Sequence, residues 1–456
     1  MSLEKSKYEM DMCNGSILKK LLFFSVPLIL SSVLQLLFNT ADVIVVGKFA
    51  GPNSLSAVGS TGSLINLITN LFMGLSVGTN VIVARFFSSK KNEDLRQAVH
   101  TSIAISLIGG LFLTVVGLLL APEMLKWMDT PADGILDLAT LYVRIYFCGI
   151  TASLVYNFGS AVLRAIGDTR RPLMFLMIAG IVNVALNLFF VIILDMDVAG
   201  VALATTLSQC LSAFLVIRCL MKEKSAVRLV LKDLKIYKDK LFSILRIGLP
   251  AGIQGSLFAL SNVVIQSAIN TFGNIVIAGN TAAANLEGYV YVSMNAFHQA
   301  TISFIGQNVG AKKYKRINKI VLTALAAVTV TGLVLGLGCY AFGSSLLKLY
   351  TDSTPAINAG LVRLKYISTC YCLCGIMDVM VGALRGLGKS FLPMVVSLMG
   401  ACVFRLIWIY TIFEMERFHI IDTVYVSYAI SWILTASVHI LCYTLIRKKL
   451  KHIWGE

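Results

Sequence analysis

From Ile17 to Val46 the sequence runs ILKKLLFFSVPLILSSVLQLLFNTADVIVV, a stretch as long and as apolar as a helix that crosses a bilayer. Stretches of this kind recur along the chain, and their recurrence limits the fold more than any other feature. In hydrocarbon every backbone N–H and C=O must be satisfied internally, so a spanning chain forms helices or a closed barrel. The runs are continuous over about twenty residues or more and do not alternate over about ten, which selects helices. With 57% hydrophobic and 14% charged residues, the chain departs from soluble globules, in which about a quarter are charged. The N-terminus is polar through Ser16 and the first apolar run is too long for a leader's core, so the first helix is expected to be retained.

The apolar runs predict twelve helices, at about 17–47, 53–87, 96–120, 134–165, 173–194, 200–221, 241–271, 275–309, 317–342, 357–386, 392–414 and 423–446. Residues 222–240 form a basic linker between two sets of six, giving an N-lobe at 1–221 and a C-lobe at 241–456. Short polar pieces at Asp195–Asp197, Phe272–Asn274 and Glu414–Asp422 read as outer loops, and Pro122–Asp133, with Trp127, as a segment along the interface. The net charge of +16 could point to nucleic acid, but 31 of the 39 Lys and Arg fall in segments that lie on one side if the helices alternate in direction. That is the positive-inside pattern. It predicts a multi-pass protein of the cytoplasmic membrane with both termini in the cytoplasm, and it removes the need for a nucleic-acid partner. Cys370, Cys372 and Cys374 look like metal ligands, but residues two apart on a helix face different ways, so no metal site is expected.

The two sets of six helices are copies. LRAIGDTRRP (Leu163–Pro172) returns as LRGLGKSFLP (Leu384–Pro393), 221 residues on (163 to 384). Pro27 returns as Pro250, and Lys90-Lys91 as Lys312-Lys313, at nearly the same offset. Because six is even, both copies enter the membrane in the same direction, as in transporters built from parallel repeats. The fold expected is all-α, with two pseudo-symmetric six-helix lobes around a central cleft that opens to one side at a time.

Within the first helix stand a proline, Pro27, and a carboxylate, Asp42. An ionised Asp near the middle of a spanning helix costs about 3 kcal/mol on insertion scales, and an interior proline removes a backbone hydrogen bond. Two readings stand open: a hydrated acid near the interface with an ordinary kink, or a protonatable group on a helix built to bend.

Pro27 with Asp42, the LRxxGDTRRP loop after the fourth helix and its second copy LRGLGKS together resemble the multidrug and toxic compound extrusion (MATE) transporters, over essentially the whole chain. The resemblance implies cation-driven antiport of organic compounds, often cationic drugs, through two six-helix lobes. It assigns Asp42 to coupling and adds a polar cluster of Asn157, Asn183 and Thr205. One turn after Asn183, where some relatives carry a second carboxylate, this chain has Asn187, so Asp42 has to act without a partner acid. The coupling ion implied is H+ or Na+, the substrate a small organic molecule, and neither a cofactor nor an obligate protein partner is expected. The sodium pattern of a carboxylate on the seventh helix is not matched, since only Gln254 and Asn262 stand there.

The C-lobe carries Glu287, Asp378 and Arg405 within predicted spans, with Asp378 the repeat counterpart of Asn157 and about Ile265 that of Asp42. Arg405 either neutralises one of the two acids in a buried pair or takes part with them in a substrate or sodium site. His298 reads as a hydrogen-bond partner. A flippase for a lipid-linked oligosaccharide or peptidoglycan precursor is the alternative, but it calls for several basic residues in the cleft, and mainly Arg144 and Arg405 are on offer. A scaffold has no use for an acid on a bent first helix, and an enzyme is not expected because no nucleophile–base pair or phosphate loop appears.

Overall fold

The computed structural model describes residues 8–127 and 134–454, so Lys5, Lys7 and the second half of the Pro122–Asp133 segment (128–133) lie outside the described residues. Among the described residues the chain is helical, without strands. Twelve long helices follow in order: α1 (Ile17–Ala50), α2 (Pro52–Ser88), α3 (Asn92–Trp127), α4 (Ile135–Ala165), α5 (Arg170–Ile193) and α6 (Asp197–Lys222) form the first set. The second is α7 (Lys238–Asn270), α8 (Asn274–Gly310), α9 (Lys315–Ala341), α10 (Thr354–Gly386), α11 (Phe391–Phe413) and α12 (Ile421–Trp454). Eleven are long and apolar enough to cross a membrane; the other is α8. Its side chains are buried along most of its length, including Asn280, Glu287, His298, Gln307 and Asn308, so its polar groups face protein and the helix does not need an apolar surface.

Most ends agree with the apolar runs to within a few residues, and the exceptions have a cause. α3 begins at Asn92, with Glu93 and Asp94 in its first turn against the positive end of the helix dipole, and it continues to Trp127. α12 continues past Arg447 to Trp454. An apolar run marks only the part of a helix inside hydrocarbon; polar end turns add to it unseen.

The duplication is written in the backbone. Gly51 and Gly273 have φ of 90° and 86°, Gly167 and Gly388 of 94° and 78°, and Lys90 and Lys312 both of 57°. Left-handed lysine is uncommon, so its occurrence at equivalent positions (90 to 312) means that one turn is built twice. The LRAIGDTRRP loop is a corner between helices. The Asp168 N–H donates to the Leu163 carbonyl at 2.9 Å across Gly167, closing α4. Asp168 Oδ1 then accepts from the N–H groups of Arg170 and Arg171, both at 3.1 Å, opening α5. Arg171 bridges the carboxylates of Asp168 and Glu223. In the second copy the Lys389 N–H donates to the Leu384 carbonyl at 2.9 Å, the same helix ending.

By packing, the chain divides into two compact units, one of Met1–Asp11 and Leu30–Gly252, the other of Met12–Ile29 and Ile253–Glu456. In this division each repeat gives the leading part of its first helix to the other unit, and the change falls close to Pro27 and Pro250. In the first unit α4 packs on α2, α3 and α6, with Val143, Phe147, Leu113 and Leu125 in the core. The 222–240 stretch is docked there. The Tyr237 N–H donates to Thr101 Oγ1 at 3.1 Å, the ring of His100 meets the Val230 backbone, and Arg96 pairs with Asp233. In the second unit α8 packs on α9 and α10, and Ile265, Met377, Tyr425 and Trp432 fill a core. There the Met12 N–H donates to Gln307 Oε1 at 3.2 Å, the Asn308 amide donates to the Met12 carbonyl at 3.1 Å, and Phe24 meets Phe304 edge-on at 5.8 Å.

α7 holds to the first unit through glycines. Gly74 and Gly78 on α2 face Gly248 and Gly252 on α7, the small-xxx-small spacing on both helices that lets backbones touch. A Cβ at Gly248 would lie 2.6 Å from Leu75 Cα, and one at Gly74 2.0 Å from the Gly252 nitrogen, with backbone rather than a movable side chain in the way. Gly248→Val is therefore expected to destabilise the protein by about 1–3 kcal/mol or more. A lowered melting temperature in detergent, against an unchanged one for Gly59→Val, where nothing lies within 4 Å, would report it; equal melting of both would contradict the contact.

Candidate functional site

Asp42 lies on α1, one turn after Phe38, whose ring fills the space left by Gly180 of α5. The Asn187 amide donates to Asp42 Oδ1 and, at 3.3 Å, to Asn183 Oδ1 one turn earlier on the same helix. From α6 the Thr205 hydroxyl donates to Asp42 Oδ2 at 3.5 Å and accepts from the Asn183 amide at 3.4 Å. The four side chains close a ring: Asp42, Asn187, Asn183, Thr205 and back to Asp42. Asn183 and Asn187 are buried, whereas Asp42 and Thr205 are half-buried. Asn187 Oδ1 is buried with no hydrogen-bond partner. Among the described residues no ion pair includes Asp42.

The backbone around the ring is irregular on both sides. After Asp42, α1 passes into a π-helical turn, Val46–Ala50, and after Asn187, α5 passes into another, Phe189–Ile193; the two turns pack on each other. A π turn inserts a residue and shifts the register of the helix beyond it, a distortion concentrated at functional sites.

Of the residues expected here, Asn157 stands apart. Its amide donates at 2.8 Å to the Ser153 carbonyl of its own helix, and it makes no hydrogen bond to the ring. Residues that the motifs do not single out are close: Tyr142 and Tyr146 of α4, stacked with centroids 6.1 Å apart, lie within electrostatic reach of Asp42, and Gln209 of α6 lies against Tyr146. Spacing gave a signal for two of the neighbours, since Phe38 and Gln209 stand one turn from Asp42 and Thr205. Arg144 is exposed, and its Nε donates to the Leu118 carbonyl at 3.1 Å. Pro27 lies within an unbroken helical stretch, Ile17–Val45.

In the second unit, among the described residues, Arg405 forms an ion pair with neither Glu287 nor Asp378. Glu287 is clamped by Arg363 of α10, whose Nη2 donates to Oε2 at 2.7 Å and whose Nε reaches both oxygens at 3.1 and 3.2 Å. Arg363 Nη1 and the Tyr425 hydroxyl both donate to Asn280 Oδ1, at 2.7 and 3.1 Å, and the Asn280 amide donates to Gln266 Oε1 at 3.1 Å. Arg405 donates instead to Ser431 Oγ at 2.8 Å. Asp378 is buried beside Tyr291, with Oδ2 unpartnered, and its backbone carbonyl meets His298 Nδ1 at 2.6 Å. Arg385 Nη2 donates to Gln254 Oε1 at 2.9 Å. Glu287, Asp378 and Arg405 thus sit in three different settings.

Twelve long helices in two copies of a six-helix repeat, one copy holding a lone carboxylate in a ring of amides and a hydroxyl, define a multi-pass membrane transporter of duplicated architecture. The MatE family model matches once in each copy, over residues 27–189 and 250–411, and the chain belongs to that family. It is 29% identical over 398 residues to the probable multidrug resistance protein YpnP of Bacillus subtilis, covering 87% of this chain and 88% of that one. Against the probable multidrug resistance protein NorM of Thermotoga maritima the identity is 22%, covering 85% and 84%. An outward-facing MATE transporter of the MOP superfamily superposes with a TM-score of 0.92 at 24% identity, covering 98% of this chain and all of that one. A MATE structure in a bent conformation gives 0.89 at 22%, covering 98% of each.

Proposed function

We propose that the chain is a secondary antiporter that exports small organic compounds, chiefly lipophilic cations, by alternating access in exchange for protons, with Asp42 as the coupling group. The observation that carries this reading is the carboxylate on α1 that has only neutral hydrogen-bond partners among the described residues. A proton and a cation compete for such a group. Protonation also changes its hydrogen bonding, because an ionised carboxylate only accepts while a protonated one also donates. Asn187 would then turn its amide so that the unpartnered Oδ1 accepts from Asp42, giving up its bond to Asn183. The ring on α5 and α6 rearranges, α1 yields near Pro27, and the cation is released.

Relatives named as multidrug resistance or multidrug export proteins support the substrate class. Bacterial relatives and the one-sided Lys and Arg support the cytoplasmic membrane with cytoplasmic termini. The oxygens of Asp42, Asn183, Asn187 and Thr205 are also a donor set for a small hard cation, so sodium is the other coupling ion.

The test is transport of rhodamine 123 by proteoliposomes in sodium-free buffer under an imposed pH gradient. Dye moving against a counterflow of protons is the expected result. Movement only after sodium is added would reassign the ion, and no movement with either would overturn the reading.

A further inference from the structure

Inside the second unit Arg363 shows how a buried arginine is ordinarily held, gripped by Glu287 and an amide. Arg405 of α11 is as buried, with 7% of its surface exposed, but among the described residues it forms no ion pair. Its guanidinium lies 4.1 Å from the ring centroid of Tyr428 and 5.6 Å from that of Trp432, both on α12, and Nε donates to Ser431. The two terminal nitrogens make no hydrogen bond to a described residue, and they are not among the atoms sealed inside the fold, unlike the Arg385 Nε. The helix is shaped around this residue. Arg405 stands on a single α-helical turn, Phe404–Trp408, between two π-helical stretches, Leu398–Val403 and Ile409–Phe413.

An arginine inside an apolar lobe is expensive, and rings and one hydroxyl offset only part of that cost. What the site lacks is an anion. Aromatic rings lie against the guanidinium, and its two terminal nitrogens make no hydrogen bond to a described residue, which leaves them as donors for a carboxylate through two parallel N–H bonds. Tyr371, 5.4 Å from Trp432, extends the aromatic wall. We propose that Arg405 anchors a subsite in the second unit for the carboxylate of aromatic, zwitterionic substrates. The subsite rests on the exporter reading above, which it refines by naming a second substrate group that is recognised.

Rhodamine 110 and rhodamine 123 test this, since they share one cationic fluorophore and differ in a free carboxylate against its methyl ester. Binding to the purified full-length protein is followed by fluorescence polarisation for wild type, Arg405→Gln and Arg405→Lys, each checked to melt like wild type. Arg405→Gln is expected to weaken rhodamine 110 roughly tenfold or more, the loss of a charged hydrogen-bonded pair, with rhodamine 123 within twofold. Arg405→Lys, keeping the charge but losing the planar fork, is expected to fall between, and it carries the test if the glutamine variant does not fold. Equal losses for both dyes, no loss for either, or equal affinity of wild type for both would overturn the subsite. If rhodamine 123 is not exported while binding discriminates as expected, the exporter reading falls and the subsite stands; if export holds and binding does not discriminate, the reverse applies.

Discussion

Asp42→Asn is expected to abolish pH-driven export while leaving the protein folded. Asparagine keeps the shape and can still hydrogen-bond Asn187 and Thr205, but it has no charge for a cation and no proton to exchange. Coupling between two ligands typically amounts to about 5–150-fold in affinity, and this variant is expected to remove all of it. The sign follows from the chemistry. In wild type, affinity for a dye cation is expected to be high where Asp42 is ionised and to fall as the pH is lowered and the proton takes its place. The variant imitates the protonated form, so its affinity at high pH should match that of wild type at low pH and stay there. Dye binding across pH, with transport in the same vesicles, measures both. Asn157→Ala is the control, because Asn157 bonds only within its own helix and outside the ring. A pH-dependent Asp42→Asn protein, or an Asn157→Ala protein as damaged as it, would sink the assignment.

Glu287→Gln should damage folding instead. The carboxylate faces three donor contacts from Arg363, and removing its charge leaves that guanidinium buried against a neutral amide. Breaking one side of a buried pair costs about 3–5 kcal/mol, whereas replacing both sides with well-packed neutral groups is often neutral. Glu287→Gln and Arg363→Met are therefore expected to lower the melting temperature in detergent strongly, and the double variant to regain much of the loss. Single variants that melt like wild type but lose transport would mean that Glu287 works in the transport cycle rather than in the frame.

The sequence carried the helices and the duplication because both are written locally, in run length and in a motif repeated at fixed offset. Asp42 stood out for the same reason: it is the one carboxylate in the apolar run Ile17–Val46. Its partners were harder. Helical spacing puts Asn183 and Asn187 on one face but does not say which helix that face meets, and by that measure Asn157 looked equally suitable. The partner of Glu287 was not legible, because Arg363 sits near the end of an apolar run, where a basic residue reads as interfacial, while Arg405 sits in the middle of one. Only packing showed that the deeper arginine has no acid beside it among the described residues. The glycines of α2 and α7 carried the small-xxx-small signal in plain view, yet the two helices belong to different repeats, and a reading that kept the lobes apart had no reason to bring them together.

The exchange of leading helix segments bears on the protein's origin. Each unit is completed by an arm from the other repeat, Met12–Ile29 in one case and the stretch ending at Gly252 in the other. Reciprocal loans of this kind are the topology of a swapped homodimer, here with its two subunits strung on one chain. A half-length forebear built on the same plan could have covered the bare glycine face of its second helix only by taking the arm of a sister copy. On that plan pairing is obligatory for a half-length chain, whereas a fused chain is free to carry different residues at the two corresponding places, here Asp42 and about Ile265.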